Sequence, residues 1–327
     1  MKTSVAVCTY NGEKFLQKQI DSILNQTHPI DEIIVCDDGS TDATLKILNS
    51  YKEKYPEIFQ IYINEKNLRS VKNFEKAISL CTHEIIFLSD QDDIWVENKV
   101  EKYLNYFETH PETEVIASNG FGIDENGKKI DAYSFWDIPK ISKEVRENYK
   151  IKETLLKVTN IATGASLSVK KSFLKDVIPF PDHKILHHDE WIAFAASLLD
   201  KFEFLPEKLF YYRIHSHQQI GGVFFEKNEK SILFLKRTFG LIQDFKGLSK
   251  YIRRLCEIYY RNYLYLELQP HHHQLIEKNM NEIETLYKEK VDLVKRKFPI
   301  RSKFLFLTDV KNKRKLISRS YKVQQSN

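Results

Sequence analysis

The chain has 327 residues, of which 42% are hydrophobic and 29% charged, as in a soluble globular protein of one large or two ordinary domains. No run approaches the ~20 apolar residues of a membrane span, and the N-terminus lacks signal-peptide features, so we expect a cytoplasmic protein. Residues 1–224 carry a net charge of −7 and residues 225–327 one of +12. This shift predicts a first domain over residues 1–222 and a basic α-helical region over residues 223–327.

Short apolar runs alternate with amphipathic stretches through the first ninety residues. Strands are predicted over residues 3–9, 32–36, 58–63 and 84–88, and helices follow the first three of them. Strand and helix alternating with short turns indicate a mostly parallel sheet with helices on both faces. The sequence therefore predicts an α/β domain.

A polar cluster follows each of the four predicted strands. The clusters are Tyr10-Asn11, Asp37-Asp38, Asn67 and the run Asp90-Gln91-Asp92-Asp93. Ligands of open α/β sheets bind outside the carboxyl ends of the strands. Because all four clusters occupy that position, a shared binding cleft explains them better than four unrelated polar turns.

The run after the fourth strand places three carboxylates within four residues: Asp90, Asp92 and Asp93. Like charges this close repel and raise each other's pKa. A divalent metal ion with oxygen ligands would offset that repulsion. The alternative is a solvated acidic turn that caps the next helix.

The pattern beyond residue 93 is less regular. An amphipathic helix carries Val100, Leu104 and Phe107, and a strand is expected near residues 115–118. Further predictions are a hairpin or flap over 120–133, a small-residue segment at 163–166, a helix opening at 187–191, short strands over 202–205 and 208–213, and helices from residue 229 onward.

Six motifs stand in an order that resembles family 2 glycosyltransferases of the GT-A fold, over residues 3–222. They are Thr9-Tyr10-Asn11, Asp37-Asp38-Gly39-Ser40-Thr41-Asp42, Asn67 with Asn73, Asp90-Gln91-Asp92-Asp93, Thr163-Gly164-Ala165 and His188-Asp189-Glu190-Trp191. The resemblance implies a GT-A (Rossmann-like, nucleotide-diphospho-sugar transferase) domain. Residues 89–95 most resemble bacterial rhamnosyltransferases of surface-polysaccharide synthesis.

The chain differs from the family pattern at three points. His188 stands where an acidic residue usually precedes the base, and Arg69 stands where glycine is common. The Gln-x-x-Arg-Trp signature of processive polysaccharide synthases is missing, which implies transfer of a single sugar.

The resemblance also implies roles for individual residues. Asp189 would be the catalytic base of an inverting displacement, and Mg²⁺ or Mn²⁺ would be held by Asp92 and Asp90, with His215 as a third ligand. The implied donor-binding residues are Thr9, Asn11, Asp37, Asp38, Asn67, Lys72, Asp90, Gly164 and Arg213. The implied acceptor-binding residues are Trp191, Glu190 and Trp95.

Several of these residues also have a purely structural interpretation. Asp38, Asp93, Asn11 and Asp189 suit turns or helix caps. A partly buried aromatic ring is the alternative for Trp191, and His215 could be a structural histidine.

The sequence thus predicts a metal-dependent, inverting glycosyltransferase. It would move one sugar from a nucleotide-diphosphate sugar, dTDP-rhamnose or a UDP-sugar, to a hydroxyl of a surface-polysaccharide or lipid-linked glycan. A nucleotidyltransferase is disfavoured because Tyr10-Asn11-Gly12 supplies no Gly-rich phosphate loop. A nucleotide-binding scaffold without turnover is the second alternative.

The basic C-terminal region has two interpretations. One is peripheral contact with an anionic membrane surface, at the cytoplasmic face of the inner membrane. The other is a solvated helical bundle that supports a homodimer. The positive charge of this region alone would be compatible with a nucleic-acid partner. No recognition motif supports one, so we expect none.

Overall fold

The computed structural model describes residues 1–141, 150–182, 186–216 and 223–303. The chain divides into two compact units. Unit 1 comprises Met1–Trp136 and Asn160–Glu226, and unit 2 comprises Asp137–Thr159 and Lys227–Asn327. The sequence assigned residues 137–159 to the first domain, whereas in the structure they belong to unit 2. Within the described ranges, no helix is both long and apolar enough to cross a bilayer.

The elements of unit 1 alternate as predicted through the first four strands. The strands are β1 (Thr3–Thr9), β2 (Glu32–Asp37), β3 (Phe59–Ile63), β4 (Ile85–Ser89), β5 (Ile94–Trp95), β6 (Val115–Ile123), β7 (Ala132–Ser134), β8 (Ser168–Lys170), β9 (Phe202–Arg213) and β10 (Phe224–Glu226). The helices of unit 1 are α1 (Leu16–Leu24), α2 (Thr44–Lys54), α3 (Arg69–Leu80), α4 (Lys99–Thr109) and α7 (His188–Leu198).

Eight strands form one mixed sheet in the order β3-β2-β1-β4-β8-β6-β9-β5. The predicted parallel part is confirmed, because β1 runs parallel to β2 and β4, and β2 runs parallel to β3. The short strand β8 then pairs antiparallel with both β4 and β6. The strands predicted over 202–205 and 208–213 are one strand, β9, whose pairing with β6 shifts register around Asn119.

The sheet of unit 1 is covered on both faces. Val5, Ala6 and Val7 of β1 all have zero exposure, and successive strand residues point to opposite faces. Helix α1 contributes Ile20 and Ile23 to the same apolar cluster as Val5 and Val7. Burial on both faces explains why the strands are near-continuous apolar runs, and it leaves only the strand ends for polar chemistry.

The predicted hairpin after β6 forms a tight turn. Gly127 has a φ of +87°, a conformation that favours glycine, and its amide donates to the Asp124 carbonyl at 3.0 Å. The chain then enters β7, which pairs antiparallel with β10 in a separate two-stranded sheet.

Unit 2 is helical in its described part, as predicted for the C-terminal region. Its helices are α5 (Ile138–Ile141), α6 (Ile151–Lys157), α8 (Glu229–Thr238), α9 (Phe245–Leu268) and α10 (His273–Lys297). Helices α9 and α10 pack through apolar clusters, of which one joins Ile252 to Val294 and another joins Ile258 to Ile283.

Candidate functional site

A cavity of about 410 Å³ opens at the carboxyl ends of β1, β2 and β4. Its lining comes mainly from the loop after β1, the start of α3 and the carboxylate run after β4. The lining residues are Cys8, Thr9, Tyr10, Asn11, Gly12, Lys14, Phe15, Asp38, Ser70, Asn73, Phe74, Asp90, Gln91, Asp92, Asp93, Tyr212 and His215. The polar clusters that follow the first, second and fourth strands therefore meet in one cavity.

Asp37 organises the turn after β2. Its Oδ1 accepts from the amide of Ser40 at 2.8 Å, and its Oδ2 accepts from Thr9 Oγ1 at 2.7 Å. Thr9 and Asp37 are register partners on β1 and β2. Asp37 is fully buried, so its carboxylate holds the two strand ends together, whereas Thr9 also lines the cavity.

Asp38 joins the turns after β2 and β3. Its Oδ1 accepts from the amide of Leu68 at 2.7 Å, and its Oδ2 accepts from the amide of Arg69 at 2.9 Å. Asn67 donates through Nδ2 to the Asp38 carbonyl at 3.2 Å. Asp38 and Asn67 are thus near each other as predicted, but only Asp38 also lines the cavity.

Asn11 is bonded to the turn after β2. Its Oδ1 accepts from the amide of Thr41 at 2.8 Å, and its own amide donates to Ser40 Oγ at 2.8 Å. Helix α1 begins later and has no side-chain cap, so Asn11 is not its N-cap. Its φ of +49° lies in a region that asparagine tolerates, and it lines the cavity.

The three carboxylates after β4 all face the cavity, and the pKa values of Asp90 and Asp93 are raised. Burial, and then the charges of Asp92 and Asp189, raise the pKa of Asp90 to about 8. Burial followed by the charges of Asp92 and Asp90 raises the pKa of Asp93. Asp93 Oδ1 also accepts from the amide of Arg213 at 2.9 Å.

His215 contacts the carboxylate run directly. Its Nε2 lies 2.8 Å from Asp92 Oδ2, and its ring packs on Phe15 at 4.9 Å between centroids. Carboxylate oxygens suit Mg²⁺ or Mn²⁺, whereas an imidazole nitrogen is a softer ligand that Mg²⁺ takes less readily than a transition metal such as Mn²⁺. Among the residues that the structure describes, the ligand atoms of Asp90, Asp92 and His215 do not all lie within 4.8 Å of one another. A bound ion would therefore draw these groups closer together.

Arg213 supports the site from behind the cavity wall. Its Nε donates to the Asp92 carbonyl at 2.7 Å, and its Nη1 donates to the carbonyls of Asp124 and Glu125 at 3.1 Å. The guanidinium lies 4.6 Å from the centre of the Phe15 ring. Arg213 is fully buried, so it links the carboxylate run to the turn after β6 and does not line the cavity as the donor-binding prediction required.

Asp189 lies in the first turn of α7. Its Oδ1 accepts from the amide of Glu190 at 2.7 Å, and burial raises its pKa to about 6. Its charge in turn raises the pKa of Asp90 and of Tyr212, so it lies within electrostatic range of the cavity lining. A carboxyl with this pKa is ionised at neutral pH and basic enough to accept a proton.

Gly164 is packed between two site residues. A Cβ atom there would lie 2.7 Å from His188 Nε2 and 3.1 Å from Asp90 Oδ2, so only glycine fits without a shift. The small-residue segment predicted at 163–166 thus brings backbone close to Asp90. Burial lowers the pKa of His188 to about 3, which keeps its imidazole neutral.

The predicted acceptor-binding residues require correction. Trp191 is 1% exposed, and its Nε1 donates to the Val177 carbonyl at 2.8 Å. Trp95 is 3% exposed within the apolar core, and Glu190 is also buried. The two large aromatic rings are packed in the protein interior, so neither presents a face to an acceptor.

Lys72 also departs from its predicted role in donor binding. Its Nζ donates to the Phe180 carbonyl at 2.7 Å and pairs with Glu75 at 2.8 Å. It does not line the cavity. These contacts give it a structural role in fixing the segment around Phe180.

Two buried donors from α4 support the Gly164 turn and were not predicted. Lys99 Nζ donates to the Ala165 carbonyl at 2.6 Å, and Tyr103 Oη donates to the Ser166 carbonyl at 2.5 Å. Lys99 is fully buried, and burial lowers its pKa to about 7 against the opposing effect of Asp93 and Asp90. Their spacing of four residues on one helix face was the available signal, but nothing in the sequence marks a lysine as buried.

The chain is similar to known glycosyltransferases in sequence and in fold. An uncharacterized glycosyltransferase from Nostoc sp. is 29% identical over 252 residues, covering 75% of this chain and 76% of the relative. The structure of S. aureus TarS 1–349 in complex with UDP-GlcNAc matches with a TM-score of 0.53 and 18% identity, over 88% of this chain and 92% of that chain.

A second solved structure is similar over almost the whole chain. The mannosyltransferase PcManGT from Pyrobaculum calidifontis, in complex with GDP-Man and Mn²⁺, has a TM-score of 0.53 and 13% identity, over 99% of this chain and 84% of that chain. At such identities these two likenesses show the fold alone, which is the predicted GT-A fold. The model of glycosyl transferase family 2 matches residues 4–178, more than half of the 327 residues, and the chain therefore belongs to glycosyl transferase family 2.

Proposed function

We propose that the chain transfers one sugar from a nucleoside-diphosphate sugar to a hydroxyl of an acceptor, with inversion at the anomeric carbon. The observation that carries this proposal is the cavity at the ends of β1, β2 and β4. Thr9, Asn11 and Asp38 line it beside the carboxylate run, and Asp189 lies within electrostatic range of that run. One cavity thus combines polar groups for a nucleotide with carboxylates for a cation, and a separate base lies within electrostatic range of them.

The donor lies across the cavity in this proposal. Its nucleoside contacts Thr9, Asn11 and Asp38, and its diphosphate lies against Asp90 and Asp92. A volume of about 410 Å³ falls within the range of small-molecule sites. Asp37, Asn67 and Arg213 hold the surrounding turns in place through the hydrogen bonds described above.

Asp92 and His215 are the groups that would hold a divalent cation, with Asp90 beside them. Their contact at 2.8 Å would be exchanged for contacts to the ion, and the repulsion among the three carboxylates would decrease. When bound, such an ion supplies positive charge to the leaving diphosphate.

Asp189 acts as the general base. It accepts the proton of the acceptor hydroxyl, whose oxygen attacks the anomeric carbon while the bond to the diphosphate breaks. The products are the glycosylated acceptor, the nucleoside diphosphate and protonated Asp189. A pKa of about 6 suits this step at neutral pH.

The finer identity of the substrates is also a proposal. The resemblance of residues 89–95 supports dTDP-rhamnose, whereas TarS and PcManGT are bound to UDP-GlcNAc and GDP-Man respectively. The acceptor is proposed to be a surface-polysaccharide or lipid-linked glycan. Contact of the basic residues beyond 224 with an anionic membrane surface at the cytoplasmic face would bring the enzyme to such an acceptor.

Release of nucleoside diphosphate from dTDP-rhamnose, UDP-GlcNAc, UDP-glucose and GDP-mannose tests the proposal. Each donor is assayed with Mn²⁺, Mg²⁺ or a chelator, using the wild type, Asp92→Asn and Asp189→Asn. We expect one donor to be consumed in a metal-dependent reaction that both variants lose. Binding of nucleotides without any turnover would instead favour a non-catalytic scaffold, and unchanged turnover in both variants would refute the assigned roles.

A further inference from the structure

We propose that His188 is a specificity-determining residue, whose Nε2 binds a hydroxyl of the donor sugar together with Asp90. The inference rests on the proposed function. It adds a residue that recognises the sugar of the donor and makes no contact with the nucleoside diphosphate. It starts from an unusual feature of His188, which is a buried ring nitrogen that no described residue hydrogen-bonds.

The ring of His188 is held firmly by its neighbours. It stacks on Phe74 with centroids 3.9 Å apart and an interplanar angle of 22°, and 5% of the residue is exposed. On one edge, Nδ1 lies 3.5 Å from Ser70 Oγ, at the outer limit of a hydrogen bond. The orientation of the ring is therefore fixed mainly by apolar packing.

The other edge of the ring carries the unsatisfied atom. His188 Nε2 is buried and has no hydrogen-bond partner among the described residues. Leaving a buried polar atom unpaired destabilises a fold, and such atoms usually have a partner. A phenylalanine would stack on Phe74 equally well, so packing alone does not explain a histidine at this position.

The position of Nε2 indicates what it binds. The position that a Cβ of Gly164 would take lies 2.7 Å from Nε2 and 3.1 Å from Asp90 Oδ2, so these two polar atoms are close enough for one hydroxyl oxygen to bridge them. Two polar atoms with different hydrogen-bonding capacities thus flank the bare backbone of Gly164. Asp90, Ser70 and Phe74 all line the cavity, so this pair lies at its edge.

A hydroxyl suits this pair better than a charged group. The Asp90 carboxyl group offers one hydrogen bond, and a neutral imidazole donates or accepts another, depending on its tautomer. A sugar hydroxyl can donate one hydrogen bond and accept another at once, whereas an ionised phosphate oxygen only accepts. Because Nε2 is buried before ligand binds, a hydroxyl reaches it only after a neighbouring side chain moves, and Asp90 is the neighbour that lines the cavity.

The test compares His188→Phe with wild type in binding assays with UDP, GDP, dTDP and their sugar conjugates UDP-GlcNAc, GDP-mannose and dTDP-rhamnose, all with Mn²⁺. Phenylalanine keeps the stacking and removes both ring nitrogens. We expect about tenfold weaker binding of the preferred nucleotide sugar, unchanged binding of its nucleoside diphosphate, and a melting temperature that is not lowered. His188→Gln, which restores a polar group, should recover part of the loss.

His110 supplies a matched control, because its ring stacks on Tyr106 at 4.0 Å outside the cavity. His110→Phe should bind every probe like the wild type. Two results would overturn the inference while leaving the proposed function standing. One is that His188→Phe binds the nucleotide sugar as tightly as the wild type does. The other is that His188→Phe loses affinity equally for the nucleotide sugar and for the nucleoside diphosphate. If the wild type binds no nucleotide at all, the proposed function fails and this inference fails with it.

Discussion

Gln91 and Tyr10 form a two-point contact between the loop after β4 and the loop after β1. The amide of Tyr10 donates to Gln91 Oε1 at 2.8 Å, and Gln91 Nε2 donates to the Tyr10 carbonyl at 3.1 Å. A Cβ at Gly12 would lie 2.4 Å from Gln91 Oε1, so glycine leaves room for this contact. Gln91, the second residue of the carboxylate run, thus ties the proposed nucleotide side of the cavity to the proposed metal side.

We predict that Gln91→Ala weakens binding of the nucleoside diphosphate by about 3- to 30-fold. Loss of the contact lets the two loops move independently, and each lost hydrogen bond costs on the order of 1 kcal/mol. Titration calorimetry with UDP, GDP or dTDP, whichever the wild type binds, measures the effect. Gln60→Ala is the control, because Gln60 Oε1 accepts from Tyr62 Oη at 2.9 Å away from the cavity. Equal affinity in Gln91→Ala and Gln60→Ala would show that the contact is not needed.

Asp90→Asn should stabilise the metal-free fold while abolishing transfer. The pKa of Asp90 is raised to about 8 from about 3.9 in unfolded chains, so between these values the folded state holds a proton that the unfolded state has lost. Wild-type stability therefore falls as pH rises from about 4 to about 8. Asp90→Asn has no carboxyl group at this position, so its stability does not fall with pH for this reason.

Thermal melts of the Asp90→Asn variant in chelator should show an advantage that grows from pH 5 to pH 8.5, reaching a few degrees. Asp182→Asn, an exposed carboxylate outside the cavity, should differ from wild type by less than about 1 °C at every pH. A constant difference between Asp90→Asn and wild type would contradict the raised pKa.

Asp189→Asn should lower kcat by about 10²- to 10⁴-fold, the usual contribution of a general base. Binding of the donor should change by less than about threefold, because Asp189 is assigned to the acceptor side. The wild-type rate should also decline below pH ~6, where the carboxyl becomes protonated. Steady-state kinetics from pH 5 to pH 8 measure both effects.

The control for the base is Asp200→Asn, an exposed residue with a φ of +61° that asparagine also adopts readily. Its kcat should match that of the wild type. If Asp189→Asn retains full kcat, another group must be the base.

Gly164→Ala should destabilise the protein by about 1–3 kcal/mol. The added methyl meets His188 Nε2 at 2.7 Å, and the carbonyls of the next two residues are held by Lys99 and Tyr103, so the turn cannot easily retreat. Chemical denaturation of Gly164→Ala, His188→Ala and the double variant separates these effects. The double variant should lose less than the sum of the single variants, and strict additivity would mean that the clash does not occur.

The fold was predictable where burial and periodicity agree. The strands from β1 to β4 are apolar runs closed by turn residues, and parallel pairing then follows from the intervening helices. Strand β8 has only three residues and a polar residue at Ser168, so no local pattern reveals its insertion between β4 and β6. The grouping of residues 137–159 with the C-terminal helices depends on contacts distant in sequence.

The site was predictable to the level of its loops and less so to individual side chains. The positions of Asp38, Asp90 and Asp92 at the cavity follow from their place at strand ends. The sequence does not show which of the adjacent carboxylates Asp37 and Asp38 faces the cavity. In the structure Asp38 lines the cavity, whereas the Asp37 carboxylate accepts hydrogen bonds within the turn after β2. Trp191 and Lys99 show the same limit, because an aromatic ring can be buried and a lysine can be enclosed by rings without any change in the local pattern.

The most direct test of the account is the affinity of Asp92→Asn for nucleoside diphosphate with and without Mn²⁺, measured by titration calorimetry beside the wild type. The account predicts that Mn²⁺ raises wild-type affinity for the diphosphate at least tenfold and leaves the affinity of Asp92→Asn nearly unchanged. The same Mn²⁺-dependent gain in both proteins would contradict the assignment of the carboxylate run after β4 to the leaving-group side of the reaction.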